Sequence, residues 1–514
     1  MQTSATTSFW QDTSQTPGFP ALGHDLRVDV AVIGGGISGI TAAYLLAKRG
    51  QHVALLERGR LLERDTAHTS AHLTCVTDTR LTRLVKDFGR DHAGAVWEAG
   101  LAALSAIDGH VRAEGIECEF AWVPGYLHLP PGHADADVEG IRAEVALAGD
   151  LGFDAEFLDR TPIHGTPGLR ISAQARIHPL KYLTGLMRAA QQHRCDVFEM
   201  TDVEAVEDDP LTVVANGRRV ACDRVVVATH NPIAGRAGFV RATAFQTKLA
   251  LYTSYVVAGH VPRGFVPDGL FWDTADPYHY LRLAPGNGAD LVIYGGEDHK
   301  TGQEPDTPGR FERLEAELRA LLPDIALSNR WSGQVIETHD GLPYIGETAT
   351  RQFAATGFGG NGLTFGTVGA IMASDWVSAR PNPWSGLFDA GRTNISRGIW
   401  NYVAENKDYP YYMIRDRFAG TQGRTLRALA RGEGRILDLD GQRVAAYRAP
   451  DGEVSLRSAV CTHMGCLVGW NAADQSWDCP CHGSRFAPDG QVIAGPAETP
   501  LSPVTRTTVP GDAP

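Results

Sequence analysis

Long apolar runs are missing from this 514-residue chain. No segment is hydrophobic over the length that a bilayer-spanning helix needs, which excludes a helical membrane protein. The first twenty residues, MQTSATTSFWQDTSQTPGFP, lack the basic-then-apolar order of a secretory signal, so a cytoplasmic address is expected. Cationic side chains are in deficit. With 47 Lys and Arg against 60 Asp and Glu the formal charge is -13, which argues against nucleic acid and anionic membrane as partners. Cysteine is scarce at eight residues, and Cys75, Cys118, Cys195 and Cys222 have no framework spacing. They read as buried thiols of a reducing compartment. Internal repeats and low-complexity tracts are absent. A chain this long exceeds one compact core, so two or three domains are expected.

What is present begins with VDVAVIGGGISGITAAYLLAKRGQHVALLER at 28–58. Val28–Ile33 reads as a buried strand, Ile37–Lys48 has helical spacing stopped by Gly50, and His52–Leu56 reads as a second strand. Gly34, Gly36 and Gly39 fit G-x-G-x-x-G between strand and helix. That arrangement makes a tight turn, lets backbone approach a pyrophosphate at the helix N-terminus, and packs helix on strand. Ile37 and Ser38 open that helix. Glu57 ends the second strand at the distance expected of a ribose 2′-OH acceptor, which disfavours NADP. Further strands are expected at 224–229, 249–257, 278–283 and 291–295. Residues 380–425 are rich in Pro, Asn, Trp, Tyr and Arg and read as a surface-wrapping connector. Short β runs with turn punctuation follow, as in GRILDLDGQRVAAYRAPDGEV.

Four segments carry a resemblance: the fingerprint with its LLER (55–58), IHPLKYL (177–183), RVVVATH (224–230) and ATGFGGNGLTFG (355–366). Together they resemble the glycine oxidase / D-amino-acid oxidase superfamily of flavoproteins. The resemblance implies FAD, held non-covalently. Its binding residues would be those of the fingerprint with Glu57 and Arg58, a loop at Thr69, Ser70 and Ala71, Val203, and a returning turn at Gly357, Gly360, Asn361, Gly362, Leu363 and Thr364. His72, in the same loop, would either face the reactive edge or cap the loop. In the strand expected at 278–283, alternation puts Tyr278, Tyr280 and Arg282 on one face. That face could bind a substrate carboxylate or hold a structural ion pair. Glu297, Asp298, His299 and Lys300 after a Gly-Gly turn read equally as a contact to flavin or substrate and as a solvated loop. His339 and Asp340 are expected near the flavin.

The tail supplies CTHMGCLVGWNAADQSWDCPCHGSRF at 461–486. Cys461 with His463, and Cys479 with His482, fit C-x-H…C-x-x-H. Two thiolates on one iron and two imidazoles on the other make a Rieske [2Fe–2S] centre. Zinc accepts the same ligand types, but does not need the extra cysteine pair. CTHMGC and CPCHGS resemble the Rieske family closely, and that resemblance implies a disulfide between Cys466 and Cys481. It also makes Gly495-Pro496 a loop that shields the cluster. Ser484 would donate to a cluster sulfide, while Phe486 stands where high-potential relatives have Tyr. A mid-range potential is therefore expected within the Rieske span of about −150 to +300 mV. A mononuclear iron site is disfavoured. No histidine follows His482, and Asp65, His68 and His72 fall in the expected flavin loop.

The fold class implied is α/β: a Rossmann-type FAD-binding domain with a mixed-sheet substrate domain, plus a small all-β C-terminal Rieske domain. The expected divisions are an irregular arm (1–27), the oxidoreductase with interleaved subdomains (28–385), the connector (386–425) and the Rieske domain (426–514). The segments at 295–303, 330–346 and 382–392 extend the resemblance to bacterial FAD-dependent oxidoreductases with a C-terminal Rieske domain. This implies oxidation of an amine or amino acid at a C–N bond. Outside the returning turn at 357–362, already assigned to the flavin by the resemblance, no further G-x-G-x-x-G is evident for NAD(P)H. Electrons would therefore pass to a protein partner or O2, or come from a donor protein in the reverse direction. Two other readings stay open: a tailoring oxidase or desaturase of specialised metabolism, and an electron-transfer module or redox sensor without a substrate of its own.

Overall fold

The computed structural model describes residues 7–231, 248–392, 423, 425, 426 and 429–505. Most of the expected connector lies outside the described residues. The fingerprint folds as its pattern dictates. The strand Val30–Ile33 is fully buried, the helix Ile37–Lys48 follows, and the strand Val53–Leu56 lies parallel beside the first. Both strands are apolar at every position because the parallel sheet is covered on both faces. Gly39 is where that packing is tightest: a Cβ there would lie 1.8 Å from the carbonyl oxygen of Gly34. Among the described residues this sheet has six strands, in the order Tyr344–Ala349, Gln352–Thr356, Arg224–Val227, Val30–Ile33, Val53–Leu56 and Cys195–Phe198. The helix Gly362–Val377 packs against the fingerprint helix. Its N-terminus follows the glycine-rich turn at 357–362.

A second, larger sheet is mixed. It runs from Ala326–Thr338 through Leu249–Pro262, Ala289–Lys300, Tyr280–Ala284 and Leu270–Asp273 to Ala121–His128 and Gly168–Arg176. Tyr278 precedes the Tyr280–Ala284 strand instead of starting it, next to Pro277, which has no backbone N–H to give a ladder. The four scattered cysteines are buried, and burial pushes Cys75 and Cys195 up to about 12 and Cys118 and Cys222 up to about 11. They are inert thiols.

The N-terminal arm is more ordered than its composition suggests. Ser8 caps a short helix, Phe9–Asp12, through a capping box with Gln11. Trp10 is completely buried and its indole donates to the Thr69 carbonyl at 2.7 Å. A polar segment thus contributes one large anchor to the core.

The C-terminal part holds two small antiparallel sheets. One is Glu433–Leu439, Gln442–Arg448 and Val454–Ser458. The other is Gly469–Asn471, Ser476–Asp478, Arg485–Phe486 and Val492–Ala494. Trp477 and Phe486 are fully buried between them. Arg485 is buried with them because Asp474 and Asp478 compensate its charge, at 2.6 and 3.2 Å. No described helix is long and apolar enough to cross a membrane.

Trp10→Ala removes both the anchor's area and its hydrogen bond. It should destabilise the flavin-binding part by about 3–5 kcal/mol, read as an earlier urea midpoint for release of flavin fluorescence.

Candidate functional site

One cavity runs from the fingerprint turn to the mixed sheet. At the fingerprint end it is walled by Gly34, Gly36, Ile37 and Ser38, with Glu57, Arg58 and Val203 beyond. The Glu57 carboxylate is fixed by the backbone N–H groups of Gly35 and Gly59, at 2.7 and 2.8 Å. Thr69, Ser70 and His72 form a middle wall, opposite the turn that supplies Gly357, Gly360, Asn361, Gly362 and Leu363. Three residues expected at the cofactor do not line this cavity. Gly39 lies beneath the turn as a packing contact. Ala71 is fully buried behind the loop. Thr364 turns inward, its hydroxyl donating to the Thr74 carbonyl at 2.9 Å.

The loop at 65–72 is held by its carbonyls. Trp331 donates to His68 at 2.9 Å, Trp10 to Thr69, and Arg282 to Ala71. Each donor comes from a different element. The loop needs the support, because Ala71 has φ +59°, a left-handed conformation that a side-chain-bearing residue adopts only under strain. Arg282 therefore corrects the expectation of a substrate-carboxylate binder. Its guanidinium serves the carbonyls of Ala71, Ile177 and Leu283, lies over Trp10, and does not line the cavity. Burial lowers it to about 9, so it remains charged at neutral pH. His72 lines the cavity edge-on to Tyr280. Its Nε2 faces the Leu281 carbonyl at 3.3 Å and its Nδ1 faces the Ser70 hydroxyl at 3.0 Å, so a carbonyl partner assigns the proton to Nε2. Burial and the Arg282 charge pull His72 down to about 3, which makes it a neutral wall at working pH.

The far end holds residues that the sequence reading left undecided or did not single out. The strand Ala289–Lys300 bulges against Leu249–Pro262, where Ser254 faces both Glu297 and Asp298. Glu297 takes φ +58° at this bulge and points its carboxylate to Arg310 and Arg313. Asp298 is thereby re-aimed into the cavity wall. Tyr280 lies across the same strand, with its hydroxyl 3.0 Å from Ser254 Oγ. It can do so only because residue 295 is glycine: a Cβ there would sit 2.3 Å from the ring. Asp78 closes the end, accepting from Gly360 N–H at 2.8 Å. The Gly-Gly dipeptide at 295–296 was the available signal, but sequence alone does not reveal a bulge. Asp340 is drawn elsewhere, to a bidentate pair with Arg392.

The second site is built from two matching loops. In each, a cysteine carbonyl accepts from a glycine N–H four residues on, Cys461 from Gly465 and Cys479 from Gly483, both at 3.0 Å. The Cys461 and Cys479 thiols face each other within hydrogen-bond reach. The His463 and His482 rings lie 4.9 Å apart. Cys466 and Cys481 form a disulfide between the loops. Two thiols and two imidazoles thus converge as a two-iron cluster requires. Asp65, His68 and His72 form no metal-binding group among the described residues, and in the His279, Glu297 and Glu317 group Glu297 is already bound by arginines.

The two sites adjoin. Residues 493–498 line the cavity, and a Cβ on Gly495 would lie 2.6 Å from Ser484 Cα beside the cluster loop. Gln334, in the cavity wall, donates to the Gly483 carbonyl at 2.9 Å. Gln303 donates to Pro480, and Ser332 to Asp474.

Residues 29–376 match the family model described as FAD dependent oxidoreductase, and 424–506 match the Rieske [2Fe-2S] domain. The chain belongs to the FAD dependent oxidoreductase family and carries a Rieske domain. It is similar along nearly its whole length to the putative Rieske 2Fe-2S iron-sulfur protein YhfW of Bacillus subtilis (strain 168), at 32% identity over 97% of each chain. Its tail is similar to the cytochrome b6-f complex iron-sulfur subunit of Synechococcus sp. (strain JA-3-3Ab), at 42% identity over 18% of this chain and 50% of that one. In fold it is similar to glycine oxidase from Geobacillus kaustophilus, with TM-score 0.60 and 18% identity over 72% of this chain and 99% of that one. The family's cofactor is FAD, and the Rieske domain's is a [2Fe–2S] cluster. The residues present fit both. A helix N-terminus and a fixed carboxylate face the FAD cavity, and a Cβ at Gly360 would close its far turn to 2.7 Å from the Tyr278 hydroxyl.

Arg282→Met should release the strained loop and weaken FAD retention by about tenfold or more, measured as apoprotein formation on dilution. Ser484→Ala should lower the cluster's midpoint potential and Phe486→Tyr should raise it, measured by redox titration followed by EPR.

Proposed function

We propose that this oxidoreductase oxidises a small amine or amino acid at a C–N bond and delivers the electrons singly through its Rieske domain to a protein acceptor or to O2. The observation that carries this reading is the shared wall: the loop at 493–498 touches both the FAD cavity and Ser484 of the cluster loop. Bound FAD supplies two-electron oxidation, and a bound [2Fe–2S] cluster supplies one-electron transfer. The chain's own residues provide the setting. Glu57 and the fingerprint turn orient the dinucleotide end. Neutral His72, Tyr280 and Trp272 line the interior and exclude water. Gln334 ties the wall to the cluster loop. A cytoplasmic setting suits the reduced scattered thiols.

Anaerobic mixing with a panel of amines and amino acids tests the reading. A substrate should bleach the flavin absorbance in a first phase and develop the reduced-cluster EPR signal in a second. Gln334→Leu should slow the second phase by about tenfold and leave the first intact. A panel that leaves the flavin oxidised, or a bleached flavin that never reduces the cluster, defeats the proposal. An alkene product instead of an imine-derived carbonyl marks a desaturating tailoring enzyme.

A further inference from the structure

We propose that the far end of the FAD cavity is an ammonium site, where Asp298 and Asp78, with the rings of Tyr278, Tyr280 and Trp272, bind the cationic nitrogen of an amine that carries no carboxylate. The inference rests on the amine-oxidising reading above and narrows it.

The chemistry of the wall is one-sided. Among the described lining residues the cations are Arg58, Arg60 and Arg64, and all three belong to the segment after Glu57 at the fingerprint end. Arg282, two residues from Tyr280, faces backbone carbonyls behind the loop. A substrate carboxylate would therefore meet Asp298 and Asp78 with no guanidinium or ammonium to offset them, and two like charges destabilise an anion there. A substrate ammonium meets the reverse. Carboxylates and aromatic faces together are what a desolvated cation needs.

Asp298 is also short of partners. Its Oδ1 is sealed from solvent and has no hydrogen-bond partner. A buried acceptor left open costs stability unless a ligand fills it. The backbone at the neighbouring Glu297 is in a strained conformation that holds Asp298 in this position, and such strain concentrates at functional sites. Burial raises Asp298 to about 6, and the Asp78 charge adds to the rise. Ser254 hydrogen-bonds it and lowers it, as do the more distant charges of His279 and Arg310. Burial raises Asp78 as well, against the hydrogen bonds from Gly360 and Tyr278. At neutral pH Asp298 is ionised and can pair with a cation. Below about pH 6 it takes a proton and the pairing is lost.

The test uses FAD-loaded, cluster-loaded protein and two non-reacting probes of similar size, butyltrimethylammonium and pentanoate, titrated against the flavin difference spectrum. The cation should bind saturably and pentanoate should not. Asp298→Asn should weaken the cation by about tenfold or more. The wild type should lose cation affinity as pH falls through about 6, and the variant should not. Asp298→Asn removes a buried charge, so it is expected to fold and retain FAD, which its absorbance verifies. Pentanoate binding as well as the cation, neither probe binding, or an unchanged dissociation constant in the variant would each overturn the inference. The turnover panel separates the two proposals. If amino acids bleach the flavin and simple amines do not, the ammonium site fails and C–N oxidation stands. If nothing bleaches it, C–N oxidation fails and the probe titrations still decide the site.

Discussion

The strand Ala326–Thr338 is the element on which both redox sites depend. Its side chains alternate between two tasks. Trp331 reaches the carbonyl of His68 and fixes the loop beside the flavin cavity. Ser332 and Gln334, on the opposite face, reach Asp474 and Gly483 of the Rieske domain. Hydrogen bonds of this kind are individually worth about 1 kcal/mol, so their importance is geometric. They hold two cofactor sites along a strand that pairs with the neighbouring Leu249–Pro262 strand in continuous register from Leu249 to Ala258. A shift of the strand by one residue would exchange the two faces and disconnect both sites at once.

The loop at 65–72 shows the same economy. Three buried donors from three separate elements hold three of its carbonyls, and Ala71 stays in a left-handed conformation because of it. Arg282 is buried there at a real desolvation cost, visible in its lowered proton affinity. The charge nevertheless has a use. It adds to burial in keeping His72 neutral, and it fixes the backbone that carries Ser70 into the cavity.

How much of this was legible beforehand depends on how local the signal is. The fingerprint at 34–39, Glu57 and the cluster ligands are short-range patterns, and their strands, helix and loops form as spacing dictates. Gly39 could be read as a packing glycine from sequence because the motif fixes its neighbours. Arg282 could not be read correctly. Alternation placed it on the face of Tyr280, but only the fold brings Ala71 and Ile177 over it. Trp10 was hidden for the same reason: a polar segment reveals nothing about a single aromatic that crosses to residue 69. Asp298 depends on a bulge, and a bulge is a property of two paired strands, not of either one alone.

The placement of the Rieske domain has a consequence for how the flavin cavity is closed. Residues 493–498 form part of the cavity wall, so the cluster-bearing domain is a structural component of the flavin site as well as its neighbour. Gly302 and Gly483 mark the seam. A Cβ on the first would lie 2.6 Å from the Cys479 carbonyl carbon, and one on the second 2.6 Å from Leu251 Cβ. Contact this close leaves no room for water or for a wide hinge. A separation would open the flavin cavity to solvent and part the two sites in the same step.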